Sequence, residues 1–269
     1  MRRSAVLAVA AAAVSLVALV GCNDDAAPAA SSTAPEAAPA STPTAASTPT
    51  PTAVATPTPT ATAVATTAGG VIDPEKALAL AEKTPYAATQ DFTTEGGPIS
   101  ALTKARVNLN GPVRSGRLAE SMSAGGTEVI GSGSDSPTVV VTDDGTTYIK
   151  SGSSWRTSPL GDRIPDYHGY AKALLALGPS ARTGMEDCEG TPCYHLSGTV
   201  DLESMKAVEP EQYKILKGKG VESFRLDQWI DAQGRTVRYD RKNELRGIQV
   251  RTHGTFRDFG PVEKVDPPR

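Results

Sequence analysis

Apolar and polar positions divide this chain into three stretches with different grammars. Residues 4–20 are an uncharged run of Ala, Val, Leu and Ser. Residues 26–70 show neither a helical nor a strand period. From residue 71 onward, short periodic segments alternate with Gly, Pro and Asp punctuation. The first of these is a helix over about Pro74–Thr84. Asp73 serves as its N-cap, Pro74 sits where a missing N–H costs nothing, Ala77, Leu80 and Ala81 share a face, and Pro85 stops it. Strand-like alternation follows at 117–123, 138–142, 146–150 and 154–157, with Asp144-Gly145 turning the chain between the second and third. Tyr167, Tyr170, Ala171, Leu174 and Leu175 fall at i, i+3, i+4, i+7 and i+8. They predict an amphipathic helix over 167–177, capped by Asp166 and closed by Gly178-Pro179.

A short helix is predicted over Pro210–Lys217. Strands then return. Phe224, Leu226 and Ile230 share one face of 221–231, and Asp231–Gly234 turns the chain. Val237 and Tyr239 share a face of the next strand. The last strand puts Ile248, Val250, Thr252 and Phe256 on one side and Gln249, Arg251, His253 and Arg257 on the other. Alternation of this kind describes an antiparallel sheet with one solvated face. The expected fold class is α+β, in one unit over 71–269.

Composition sharpens the division. All 13 aromatic residues lie after residue 85, and only Arg2 and Arg3 of the 27 basic residues precede Lys76. Arg2-Arg3 followed by the apolar run is the layout of an export signal, and the run is short for a membrane span of roughly 20 residues. It ends in Leu19-Val20-Gly21-Cys22, which resembles the bacterial lipobox. That resemblance implies removal of residues 1–21, a diacylglyceryl thioether on Cys22 and a place on the outer leaflet of the cytoplasmic membrane. Two or more acyl chains hold a protein on a bilayer stably, whereas one binds marginally. Of residues 26–70, 40 of 45 are Ala, Pro, Thr or Ser. Such a segment has nothing to bury against its ordering entropy, so 22–70 reads as a tether. Stretched as polyproline II it reaches roughly 140 Å, and as a coil about 40 Å. Its Thr/Pro mixture also matches O-glycosylated stalks, and a plain spacer explains it equally well.

Net charge is −3, which supplies no basic stripe for nucleic acid. Cys188 and Cys193 bracket Glu189-Gly190-Thr191-Pro192. Export places them in an oxidising compartment, so a disulfide across a tight turn is expected. A metal site from Cys188, Cys193 and His195 is the alternative, and it lacks a fourth ligand at a recognisable spacing. His168, His195 and His253 are scattered, as surface or hydrogen-bonded histidines are. A Gly-x-Ser-x-Gly elbow is absent, and the Gly131–Ser134 segment lacks the Lys-Ser/Thr of a P-loop. No enzyme, cofactor or metal follows from these residues.

Several segments of the body carry a family resemblance. They are Thr146–Lys150 with Tyr148, Ser154-Trp155, Tyr194–Asp201, Trp229–Asp231 with Gly234–Arg238, and Phe256–Val262. In this order they resemble the actinobacterial lipoproteins of the LppX/LprG type, which share the LolA-like fold. The resemblance implies a curved antiparallel half-barrel with helices across its concave face and an apolar cavity between the two layers. It implies acyl chains of lipids or glycolipids as ligands, a role as a lipid carrier or envelope lipid-transport factor, and a possible membrane transporter or regulator protein as partner. The candidate cavity residues are Val139, Val141, Tyr148, Tyr170, Leu174, Leu175, Phe224, Leu226, Ile230, Val250 and Phe256. Periodicity reports burial and not a void, so the same residues are equally a close-packed core. LolA-like domains also occur in envelope-stress regulators that bind a membrane partner protein, and that alternative stays open here.

Overall fold

The computed structural model describes residues 70–130, 138–158 and 163–269. The signal segment 1–21, Cys22, the tether to residue 69 and Gly131–Ser134 lie outside the described residues.

Twelve antiparallel strands form one open sheet. In chain order they are β1 (Tyr86–Gly96), β2 (Ile99–Leu109), β3 (Ser115–Ala124), β4 (Thr127–Ile130), β5 (Val139–Val141), β6 (Thr147–Ser151), β7 (Ser154–Ser158), β8 (Arg182–Cys188), β9 (Thr191–Asp201), β10 (Ser223–Ile230), β11 (Thr236–Leu245) and β12 (Ile248–Gly260). Across the sheet the order is β7-β6-β5-β3-β2-β1-β12-β11-β10-β9-β8, with β4 attached to β3. The first and last strands of the body, β1 and β12, pair at its centre. Among the described residues three α-helices accompany the sheet: α1 (Pro74–Ala81), α2 (Tyr167–Ala176) and α3 (Pro210–Gly218).

Local chemistry explains the elements. The Asp73 carboxylate accepts from the Lys76 N–H at 3.2 Å, and the Asp166 carboxylate from the Gly169 N–H at 2.9 Å, so both first turns are capped. The Thr142–Thr146 turn is held by the Asp144 carboxylate, which accepts from the Thr146 N–H at 3.0 Å. The turn between β10 and β11 needs Gly234, whose φ of +73° is left-handed and whose Cβ would lie 2.2 Å from the Ala77 carbonyl of α1.

One contiguous core takes side chains from β3 and β5 near one edge and from β9 and β10 near the other, closed by Tyr167, Tyr170, Ala171 and Leu174 of α2. Ten inter-strand spacings of about 4.8 Å laid flat exceed what one short helix can cover. The sheet must therefore curl around the helices to gather both edges into one core. The fold is the expected α+β arrangement, an open, curved antiparallel sheet with helices on its inner face.

Strands β1 and β2, which the periodicity left unmarked, turn out to be central. Val237, expected on the face of Tyr239, lies instead in a small separate cluster with Cys193 and Trp229. The pairing slips between Trp229 and Ile230, opposite Arg238 and Thr236, so Val237 is the extra residue of a bulge.

Candidate functional site

The inner face of the sheet is apolar over one half and polar over the other. In the apolar half Phe92, Tyr167, Tyr239 and Phe256 form a knot of rings. Phe92 meets Phe256 edge-on at 5.2 Å, and Tyr167 meets Phe256 at 4.8 Å and Tyr239 at 5.2 Å. Phe92 and Tyr239 stack at 5.7 Å with an interplanar angle of 8°. Gly254 faces both of them in register, on the strand between theirs. Its bare Cα leaves the space in which the rings meet.

The polar half continues the same strands. Thr94 of β1, Thr103 of β2, Glu120 of β3, Arg241 and Asn243 of β11 and Thr252 of β12 turn inward there, and Gln90 of β1 turns inward on the other side of Phe92, opposite Phe256. Gln90, Thr94, Thr103, Glu120, Arg241 and Asn243 are all buried. Arg163 before α2 and Glu209 before α3 are buried with them. Between this floor and the helices lies a partly enclosed cleft of about 40 Å³, walled by Phe92, Leu118, Tyr167 and Tyr239 and edged by Arg163, Glu209, Gln212 and Arg241. At about 10–15 Å³ per water it holds a few waters or one small polar group.

Hydrogen bonding in the cleft is unevenly satisfied. Glu209 is well held: its Oε1 accepts from the Asp166 N–H at 2.6 Å and its Oε2 accepts from the Tyr170 hydroxyl. Burial nonetheless pushes its carboxyl above the usual range, with the Tyr170 bond and the Asp166 N–H opposing that rise. Burial also holds the Tyr167 and Tyr170 phenols well above their usual range, so both are neutral hydroxyls. Burial opposes the charge on Arg241, but the oxygen-bearing groups around it outweigh that and Arg241 stays a cation. Tyr167 Oη, Gln212 Nε2 and Arg241 Nε are buried at the cleft with no hydrogen-bond partner. Each such atom costs about 1–3 kcal/mol of lost solvation.

Of the eleven candidate residues, most fall in the contiguous core. Val139, Val141, Tyr170, Leu174, Phe224, Leu226, Ile230 and Phe256 belong to the contiguous core, and Leu175 packs on its edge. Val250 is buried outside that cluster and Tyr148 is half-buried. None of the eleven lines the cleft. Arg163, Glu209, Gln212 and Arg241 were not singled out by sequence. A signal existed for one of them. Arg241 stands two residues after Tyr239 in a strand, which puts a charge in phase with a core aromatic.

Cys188 and Cys193 are joined by a disulfide where β8 turns into β9. Nearby, on the sheet's other face, His195 Nδ1 meets Glu186 Oε1 at 2.7 Å and His195 Nε2 meets Asp227 Oδ1 at 3.1 Å. The imidazole stacks on Trp229 at 4.2 Å, and Arg238 covers the indole at 4.4 Å. Two open grooves adjoin this region, one of about 680 Å³ beside the disulfide and one of about 570 Å³ beside His195. Their charged groups are largely paired: Arg235 with Asp231 at 2.6 Å, Arg257 with Asp91 at 2.6 Å and His195 with two carboxylates. Among the described residues no cluster of His, Cys, Asp and Glu forms a metal site, and no helix is long and apolar enough to cross a membrane.

No protein-family model matches the chain. An uncharacterised 31.2 kDa protein of Streptomyces griseus, from the rplA-rplJ intergenic region, is 32% identical over 104 residues. That match spans 35% of this chain and 34% of the relative, so the chain covers about a third of the relative's length. Among solved structures the chain is similar to LprF from Mycobacterium bovis, at 18% identity and a TM-score of 0.39 over 74% of this chain and 99% of that one. It is also similar to the lipoprotein LppX of Mycobacterium tuberculosis, at 15% identity and a TM-score of 0.37 over 72% and 96%. A putative outer membrane lipoprotein-sorting protein domain from Vibrio parahaemolyticus matches at 8% identity and a TM-score of 0.24 over 70% and 93%. Likeness at this level sets no residue-by-residue correspondence, so the site rests on the chain's own geometry.

Proposed function

We propose that this protein is a membrane-tethered extracytoplasmic lipoprotein, held by acyl chains on Cys22, whose body binds an amphiphile between the curved sheet and its helices. No covalent step is involved. The observation that carries the reading is the cleft at the border of the two halves of the inner face, where buried polar atoms without partners stand against a wall of aromatic and aliphatic side chains. A ligand with a polar end and an apolar tail meets both surfaces. In the arrangement described, the cleft is far smaller than the roughly 300–1,000 Å³ of a typical ligand pocket. Uptake therefore requires the helical layer to part from the sheet. The unsatisfied atoms make the closed arrangement costly at this spot, which favours the parting. The resemblance noted in the sequence supports the same reading, with residues 22–70 as the spacer that carries the body away from the bilayer.

The test uses the full chain produced by its exporting host. Gentle purification, solvent extraction and mass spectrometry are expected to return acyl lipid in near-stoichiometric amount. Repeated preparations free of lipid, from protein that also takes up no added amphiphile, refute the binding role. Cys22→Ser is expected to move the chain from the membrane to the soluble fraction, and continued membrane association of that variant refutes the tether.

A further inference from the structure

Every partnerless buried atom of the cleft described above that belongs to Tyr167, Gln212 or Arg241 is a hydrogen-bond donor: a phenol O–H, an amide N–H and a guanidinium N–H. Tyr167 and Arg241 are each more than nine-tenths buried. A donor set calls for an acceptor with several lone pairs, and one of the donors is a cation. Glu209, whose charge is felt at Arg241, directs its hydrogen bonds elsewhere: one oxygen accepts from the Asp166 N–H and the other from the Tyr170 hydroxyl. Glu120, on the opposite wall, exerts its pull on Arg163.

We infer that the cleft is a seat for the acid group of an anionic amphiphile, a carboxylate or a phosphate, which enters polar end first and is received by Arg241 with Tyr167 and Gln212. This deepens the binding role proposed above and rests on it. The seat's volume of about 40 Å³ suits one such group, and Phe92 and Leu118 continue the wall along which a tail would leave.

The experiment measures equilibrium binding of palmitate, hexadecyl phosphate and hexadecanol to the full chain carrying Cys22→Ser, so that no anchor competes. The acids are expected to bind about 10- to 100-fold tighter than the alcohol, as a charge-assisted bond replaces a neutral one. The ranking of palmitate against hexadecyl phosphate then identifies which acid the seat suits. Arg241→Met is expected to bring all three to within about twofold of one another, while Arg241→Lys retains part of the preference. Hexadecanol binding as tightly as palmitate in the Cys22→Ser chain overturns the acid seat and leaves the amphiphile role standing, and that comparison holds whether or not R241M folds. Failure of all three ligands to bind overturns both.

Discussion

Replacing Gly254 by Ala tests the packing on which the inner face depends. Gly254 lies on β12 between Phe92 of β1 and Tyr239 of β11, whose rings stack at 5.7 Å. A Cβ there would stand 2.1 Å from the Asp91 carbonyl oxygen, 2.2 Å from Phe92 Cδ1 and 2.8 Å from Phe92 Cα. Ordinary contacts are about 3.5 Å or more, so β1 and β12 would have to separate by about 1 Å at the centre of the sheet. Two of the three obstructing atoms are backbone or fixed to it, so a rotamer change gives little relief. Overpacking of this kind costs about 1–3 kcal/mol, and disturbing the ring pair adds about 0.5–1.5 kcal/mol. The sum is about 2–4 kcal/mol. For a folded body of this size that corresponds to a drop in Tm of about 5–15 °C. Urea unfolding followed by circular dichroism, with a thermal scan, measures both. Gly218→Ala is the control. No atom lies within 4 Å of its added Cβ, and it sits at the end of α3, so its stability is expected to stay level or rise by up to about 1 kcal/mol. If G254A melts within a degree of the parent chain, the central strands are loose and the account of the ring knot is wrong.

The raised carboxyl of Glu209 has a definite sign in stability. Folded Glu209 keeps its proton to higher pH than the unfolded side chain, whose value is 4.5. The folded state then holds more protons, so this group's contribution is fully present below about pH 4.5 and is lost as pH rises through the elevated folded value. Urea midpoints of the parent chain and Glu209→Gln across pH 4–8 are expected to converge or cross as pH rises, with the variant's dependence flatter, and parallel profiles refute the assignment. Removing the disulfide by Cys188→Ser with Cys193→Ala is expected to cost about 2 kcal/mol by loop entropy for so short a loop. Because Cys193 packs on Trp229, tryptophan fluorescence should shift with it. A double variant as stable as the parent chain, with unchanged fluorescence, rejects that role.

Much of the architecture was legible in the chain because its periodicity reports burial directly. Tyr167, Tyr170, Ala171 and Leu174 announced α2 and all four are buried in it. Asp144-Gly145 announced the turn between β5 and β6, and Phe224, Leu226 and Ile230 announced the inner face of β10. Strands β1 and β2 escaped notice for a physical reason. Their inward positions include Gln90, Thr94, Ala101, Thr103 and Ala105, small or polar residues that carry no apolar alternation. Their burial comes from lying at the centre of the sheet, between β3 and β12, and a local pattern does not contain that information. The cleft was hidden for the same reason. Its residues come from β1, β2, β3, β11 and β12, from α2 and α3 and from the segments before those helices, so the cleft joins short groups that lie far apart in the chain.

The sequence by itself determined the apolar run behind Arg2-Arg3, the Ala/Pro/Thr/Ser composition of 26–70, the antiparallel α+β class and the spacing of the Cys188–Cys193 pair, because each is encoded in composition or in short-range period. Only the tertiary structure decided which buried face is apolar and which is polar. Hydrophobic periodicity marks a side chain as inward, but whether it meets a ring, a carboxylate or a gap depends on strands far apart in the chain. Arg241 shows the difference. Along β11 it is one more alternating position, and only the curl of the sheet under the helices makes it a buried cation beside a small cleft.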